Sequence, residues 1–359
     1  MSGAKALGRR LLPQCVALAA ILILIWFNFP GFFAIEMQNG RLYGSLIDVM
    51  NRGAPVALLA VGMTLVIATR GIDLSVGAVM AICGAVAAAS SVRGDPLAVT
   101  LVLSLGIGLL CGLWNGVLVA ILNIQPIVAT LVLMVAGRGI AQLITEGAIL
   151  TFNDPGLIFI GSGSLFGLPM PVVLWLVFGI AVALIIRRTA LGLLIEATGV
   201  NRRAATLSGI QAPAFLIMAY VLSGLCAALA GLIVTADIRG ADANNAGLWL
   251  ELDAILAVVV GGNSLLGGRF SIIASLIGAM IIQAVNTGIL LSGFPPEFNL
   301  IIKAAIIVLI LLIQSPRLSH LVAFVRPAGP AAPAQGKSVA GGAVSGGARE
   351  IKKLERTAS

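Results

Sequence analysis

Residues Ala60–Gly77 read AVGMTLVIATRGIDLSVG, and this stretch decides the class of the protein. An apolar run ends at Thr69, Arg70-Gly71 and Asp73 interrupt it, and a second apolar run continues to about residue 91. Roughly 20 apolar residues in a helix match the ~30 Å hydrocarbon core of a bilayer. Inside that core every backbone N–H and C=O must be bonded, so a broken span survives only where protein or a watery cavity covers it. Broken spans with Gly at the break are typical of transporters.

Working outward, apolar runs fall at 13–29, 53–69, 72–91, 97–122, 126–145, 169–186, 213–235, 252–266, 270–291 and 299–314. They predict an all-α integral membrane protein of about ten transmembrane helices, with broken or re-entrant segments. Composition agrees: 59% of the 359 residues are hydrophobic and only 10% charged, against about 25% charged in soluble domains. The mean hydropathy is +1.10. The 43 glycines suit helices that must pack closely in lipid, where burial of apolar surface no longer drives association. The first run follows Lys5, Arg9 and Arg10 like a signal peptide, but Phe27–Phe33 offers no small-residue cleavage site, so it reads as an uncleaved helix.

Charge gives the bundle an orientation. If the N-terminus is cytoplasmic, inner segments carry Lys5, Arg9, Arg10, Arg70, Arg187, Arg188, Arg202, Arg203 and Arg269, against Arg41, Arg52, Arg93 and Arg239 outside. This asymmetry places both termini in the cytoplasm. It also accounts for the +8 net charge without a nucleic-acid partner. Three regions follow: a cytoplasmic N-terminus over 1–12, a transmembrane domain over 13–315, and a Pro/Ala/Gly-rich tail over 316–359 expected to be a disordered cytoplasmic extension.

Absences narrow the function. There is no G-x-x-x-x-G-K-[ST] loop to cradle ATP phosphates and no G-x-S-x-G elbow. The single histidine, His320, lies beyond the last run, and Cys15, Cys83, Cys111 and Cys226 lie inside apolar runs without metal-ligand spacing. The expectation is a path across the bilayer with no catalytic site, cofactor or metal of its own.

A second break, Gly261–Arg269, shares the pattern G-x-[DN]-x-x-[VL]-G with Gly71–Gly77. Internal duplication and chance agreement in a Gly-rich chain both fit. Polar residues within or beside spans are candidates for the path wall or the breaks: Thr64, Asp73, Ser75, Asn115, Gln125, Thr130, Gln142, Asn263, Gln283 and Asn286. Each has the alternative of bonding a neighbouring helix. Asp73 reads best as a carboxylate that satisfies freed amides and holds the break in shape. For Arg138, snorkelling competes with pairing to Glu146.

The longest inner polar stretch, about 187–212, holds Glu196-Ala197-Thr198-Gly199-Val200-Asn201 followed by Arg202–Ile210. Gly199 is expected to end one short helix and Asn201 to cap a second that runs to Leu207. Such a segment suits either docking of a soluble motor or rest on lipid headgroups. The pattern Glu-Ala-x-Gly-x-Asn-x-x-Ala-Ala-x-x-Ser-Gly-Ile, met over Glu196–Ile210, resembles the cytoplasmic coupling loop of bacterial ABC importer permeases of the ribose/xylose type. Ala60–Ile67 and Gly71–Gly77 resemble the same family's second and third helices, and the likeness runs over about 45–315. Ala236–Asp253 and Asn286–Glu297 look most like its galactofuranose permeases.

The resemblance implies a coupling surface at Glu196, Ala197, Gly199, Asn201, Ala204, Ala205, Ser208 and Gly209. It implies docking of a sugar-loaded binding protein near Asp237, Arg239, Asp242, Asn244, Asn245 and Glu297. It also implies a second permease copy or a paralogous permease, a cytoplasmic ATPase that uses ATP and Mg, a periplasmic sugar-binding protein and a monosaccharide cargo. Arg70 departs from the small residue expected before Gly-Ile-Asp-Leu-Ser, and the tail has no counterpart. The competing function is a secondary transporter driven by an ion gradient, which would carry several membrane carboxylates for the coupling ion; few are present.

Overall fold

The computed structural model describes residues 2–38, 40–293 and isolated positions between 298 and 309, with side chains from residue 11 onward. Most of the expected tenth span, the tail, and the docking candidate Glu297 lie outside the described residues. The helices are α1 (Ser2–Asn28), α2 (Ser45–Arg52), α3 (Ala54–Ala68), α4 (Val76–Val92), α5 (Leu97–Ala120), α6 (Pro126–Ile144) and α7 (Pro155–Ser162). They continue as α8 (Met170–Arg188), α9 (Leu191–Val200), α10 (Arg202–Leu207), α11 (Ala212–Asp237), α12 (Leu250–Val260) and α13 (Ile272–Leu291).

The first nine apolar runs each hold a helix, but these helices are not equal. Among the described residues six are long and apolar enough to cross a membrane alone: α1, α5, α6, α8, α11 and α13. A seventh crossing joins α2 to α3 through a 44° bend. The count of about ten is thus approximate, because an apolar run does not reveal where its backbone is extended.

α3 shows why composition matters. Its residues are apolar on every side, and all of Ala54–Ala68 is buried; a helix without a polar face belongs at the centre of a bundle. It packs against α8, α11, α12 and α13. The strongest helix pairing is α5 with α11. Gly108, Gly112 and Gly116 form one stripe of α5, and added Cβ atoms there would lie 2.4–2.9 Å from Ala228, the Tyr220 carbonyl or Ile217. Small residues four apart let the two backbones meet, the usual basis of tight packing in lipid. By contrast α1 lies at the periphery against α13 and leaves Leu12, Val16, Leu24 and Phe27 exposed.

Loops gather at two ends. One holds three short antiparallel pairs: β1 (Glu36–Gln38) with β2 (Arg41–Tyr43), β3 (Leu150–Thr151) with β6 (Gly240–Ala241), and β4 (Ser164–Leu165) with β5 (Leu168–Pro169). Arg41 donates to the Ser162 carbonyl there at 2.9 Å. In the α4–α5 turn, Ser90 and Arg93 both hydrogen-bond Asp95. The Ser90 hydrogen bond, with Arg93 beside it, holds the Asp95 carboxyl below its ordinary value. A carboxylate lowered in this way adds stability above its unfolded pKa and loses it as pH falls through the folded value. The hydrogen-exchange protection factors across residues 90–97, taken relative to intrinsic rates at each pH, should thus be constant from neutral pH down to the ordinary carboxylate range and fall only below it.

The opposite end collects α9, α10, the α3–α4 break, the α5–α6 turn and the α12–α13 break. Four of the six inner-loop arginines belong to these segments and the other two, Arg187 and Arg188, end α8 beside α9, so the charge asymmetry corresponds to a real separation of the two ends.

Candidate functional site: the broken spans and the coupling face

Two spans break inside the bundle. After α3 ends, residues 69–75 form no helix, and α4 begins only at Val76. Arg70 takes a left-handed backbone, φ 65°. Asp73 lies against Ser223, about halfway along α11, so α4 starts at mid-depth. The second broken span runs the other way. From β6 at the strand-paired end the chain descends through 242–249, and Trp249, also left-handed with φ 67°, leads into α12. At about 1.5 Å per residue the 11 residues of α12 cover roughly half the hydrocarbon thickness. The two meet where Gly77 abuts the Gly247 carbonyl.

Each break has its own polar network. Asp73, only 2% exposed, accepts from the Ser75 N–H (3.0 Å), the Ser75 hydroxyl (2.6 Å) and the Ser223 hydroxyl (2.8 Å). Asn115 of α5 donates to Ser75 Oγ at 2.8 Å. One carboxylate therefore joins the break to α4, α11 and, through Ser75, α5. Thr130 of α6 places its hydroxyl within reach of the Ile72 and Pro126 carbonyls. At the other break Asn263 accepts from the Ser271 N–H (2.7 Å) and donates to Ser275 Oγ (2.8 Å), which also accepts from Thr64 at 2.6 Å. Asp73 and Asn263 occupy the same place in the repeated pattern, and both bind a serine that follows.

Thr64, Asp73, Ser75, Asn115, Thr130 and Asn263 thus bond neighbouring segments inside one chain. Gln283 is buried on α13 and reaches Thr287 at 3.5 Å. Half-buried Asn286 keeps a carboxamide oxygen with no partner among the described residues, and exposed Gln125 lines a cavity of about 250 Å³ beside Arg70, Arg202 and Tyr220.

Arg138 does not pair with Glu146. Its guanidinium donates to the carbonyls of Ala243 and Ala246, and Gln142 one turn later donates to Asn244 Oδ1 at 2.8 Å. A descending segment has carbonyls without helical partners, and a cation on the adjacent α6 satisfies them better than an exposed carboxylate would attract it. Among the docking candidates Asp237, Arg239, Asn244 and Asn245 are exposed and Asp242 is half-buried. Asp242 accepts from the backbone and side chain of Asn245.

The coupling segment folds as two short helices. Asn201 ends α9 and caps α10, accepting from the Ala204 N–H at 3.0 Å. Gly199, expected at a helix end, lies inside α9 and faces inward, where an added Cβ would sit 1.8 Å from the Ala68 carbonyl oxygen. Ala205 is buried as well, whereas Asn201, Ala204, Ser208 and Gly209 are exposed and Glu196 and Ala197 are half-buried. The apolar side chains left open here, Leu193 (70% exposed), Val200 (59%) and Leu207 (83%), escape a search for polar motifs.

Two bonds tie this segment to the bundle, and a third beside them joins the α12–α13 break to the end of α3. Arg70 donates to the Val200 carbonyl at 2.6 Å, Arg202 to the Ala120 carbonyl at 2.7 Å, and the Gly268 N–H to the Ala68 carbonyl at 2.9 Å. Arg70 binds the C-terminus of α9, where the helix leaves acceptors and a partial negative charge. Only two residues separate it from Asp73.

The sequence that builds these broken spans and the tethered loop matches a known family. The family described as "Branched-chain amino acid transport system / permease component" matches residues 45–311. The chain belongs to this family. Among curated proteins of the family's type, it is 61% identical to the galactofuranose transporter permease protein YtfT of Escherichia coli K12, over 88% of this chain and 92% of that one. It is 38% identical to the fructose import permease protein FruF of Bifidobacterium longum, over 94% and 96%. It is 37% identical to the ribose import permease protein RbsC of Escherichia coli K12, over 84% and 92%. Family membership makes the chain a multi-pass membrane permease.

Proposed function

We propose that this chain is the permease subunit of an ATP-driven ABC importer that moves a monosaccharide, galactofuranose or a related sugar, across the bacterial inner membrane by alternating access. The likeness to YtfT carries the choice of cargo; the other two relatives named above are also sugar permeases. A periplasmic binding protein delivers the sugar at the strand-paired end, and a separate ATPase, using ATP and Mg, docks on α9–α10 in the cytoplasm, where both termini lie. The chain binds no cofactor and catalyses no reaction.

The observation that supports coupling is the bond from Arg70 in the α3–α4 break to the end of α9, with Arg202 of α10 anchored on the Ala120 carbonyl at the end of α5. Open Leu193, Val200 and Leu207 offer apolar contacts to a docked motor, since exposed apolar patches at a polar end mark interaction sites. Movement of α9 is passed through Arg70 to a break whose shape Asp73 holds, and α4, which starts at mid-depth, and the half-length α12 are the parts free to rock. The polar candidates buried within one chain favour a path between this permease and a second copy or paralogue, with Asn286 and Gln125 as openings toward it.

The test is sugar uptake into proteoliposomes that contain the chain, its ATPase and its binding protein. Uptake should require all three and ATP, and a panel of sugars and branched-chain amino acids should identify the cargo. Uptake by this chain alone under a proton or sodium gradient would overturn the proposal. Arg70→Gly is the informative coupling variant, because glycine tolerates the left-handed backbone and only the strut is removed. Uptake should fall severalfold while ATP hydrolysis by the complex continues; wild-type uptake per ATP would remove Arg70 from the coupling route.

A further inference from the structure

A cavity of about 610 Å³ lies between the start of α1, the end of α8, α9 and the α12–α13 break. Its lining includes Arg187, Arg269, Glu196, Gln14 and Ser271. It sits at the end of the bundle where apolar spans give way to arginine-bearing loops. One wall is α1, whose Leu12 and Val16 are 61% and 58% exposed and face no other described helix. The cavity thus lies at the boundary of lipid and water.

Its chemistry is specific. Among the described residues, two guanidiniums and one carboxylate leave the lining one positive charge in excess. Gln14 is 93% buried by its 7% exposure; its amide donates to the Gly261 carbonyl at 2.9 Å, and its oxygen has no partner among the described residues. The wall therefore offers strong donors for an anion and, beside them, acceptors for an N–H donor.

We propose that this cavity binds the headgroup of an aminophospholipid, with Arg187 and Arg269 on the phosphate and Glu196 on the primary ammonium. Arginine pairs with phosphate through two parallel N–H···O bonds, and basic pockets between membrane helices are suited to headgroups. An ammonium brings N–H donors to Glu196. A choline group brings only methyls, and a glycerol headgroup brings no cation. Because Gln14 ties α1 to the Gly261 break and Glu196 belongs to α9, a bound headgroup would brace the coupling helix against the second broken span. The inference rests on the membrane location of the chain and stands or falls apart from the sugar reading.

The experiment is native mass spectrometry of the purified full-length chain with phosphatidylethanolamine, phosphatidylcholine and phosphatidylglycerol of matched acyl chains. Phosphatidylethanolamine should be retained about tenfold more strongly than either competitor. Glu196→Gln should bring it down to the phosphatidylcholine level, and Arg187→Gln with Arg269→Gln should abolish retention of all three at this site. The lipid panel on the wild-type chain decides the matter even if a variant fails to fold. Equal retention of phosphatidylcholine or phosphatidylglycerol would overturn the proposal. Displacement of the lipid by an equal concentration of soluble O-phosphoethanolamine would also overturn it, by assigning the cavity to a free solute.

Discussion

Replacing Gly199 by valine should reduce ATP-driven uptake by at least tenfold, the largest effect expected of any single change in the coupling segment. An added Cβ would lie 1.8 Å from the Ala68 carbonyl oxygen and 2.8 Å from the Gly268 nitrogen. Both atoms are backbone, so no side chain can swing aside. The Gly268 N–H bond to Ala68 must open or α9 must lift away. Overpacking of this kind typically costs about 1–3 kcal/mol, and even 1.4 kcal/mol is a factor of about ten in an equilibrium. Lifting α9 would also part Arg70 from Val200. Uptake and ATPase rates in proteoliposomes, with the melting temperature of the purified chain as a control, provide the measurement. A Gly199→Val chain with wild-type uptake would show that the close approach of α9 to α3 is not needed for coupling.

The second large effect is at Asp73. Asp73→Ala removes the acceptor of three buried donors at once, and each stranded donor costs about 1–3 kcal/mol. The expected result is a strongly reduced yield of folded permease and a lower melting temperature. Asp73→Asn should be milder: its carboxamide oxygen still accepts from Ser75, and the Ser223 hydroxyl can turn to accept from the amide. Thermal unfolding of the two purified variants separates this role from direct contact with cargo. If Asp73→Ala melts like the wild type while uptake is lost, the carboxylate acts on the sugar and not on the break.

Much of this was legible in the residues. Apolar run length alone assigned the membrane class and located nine helices, because the bilayer sets a length that few soluble folds need. Arg70–Asp73 and Gly261–Asn263 showed where spans break, and Asn201 showed where α10 starts, because a side-chain cap is a local device. The arginines separated the two ends for the same reason: a charge is costly inside a bilayer wherever the rest of the chain lies.

What the sequence left open depends on which side of a helix meets protein and which meets lipid. Both surroundings are apolar, so the pattern that marks the inner face of a soluble helix fades. Nothing in Ala54–Ala68 announces that α3 is buried on every side, and nothing in 72–91 or 252–266 announces that α4 and α12 span only part of the depth. The acceptors of Arg138 lie more than a hundred residues away, on a segment whose free carbonyls exist only because the chain dips inward. Gly199 could be read from sequence as a helix end or a docking point; only the approach of the Ala68 carbonyl shows it as a contact between backbones. The sequence by itself determined that there are broken spans and a loop at one end of them. The tertiary structure decided that Arg70 joins the two, because a bond from a side chain to a carbonyl 130 residues away is set by packing and not by pattern.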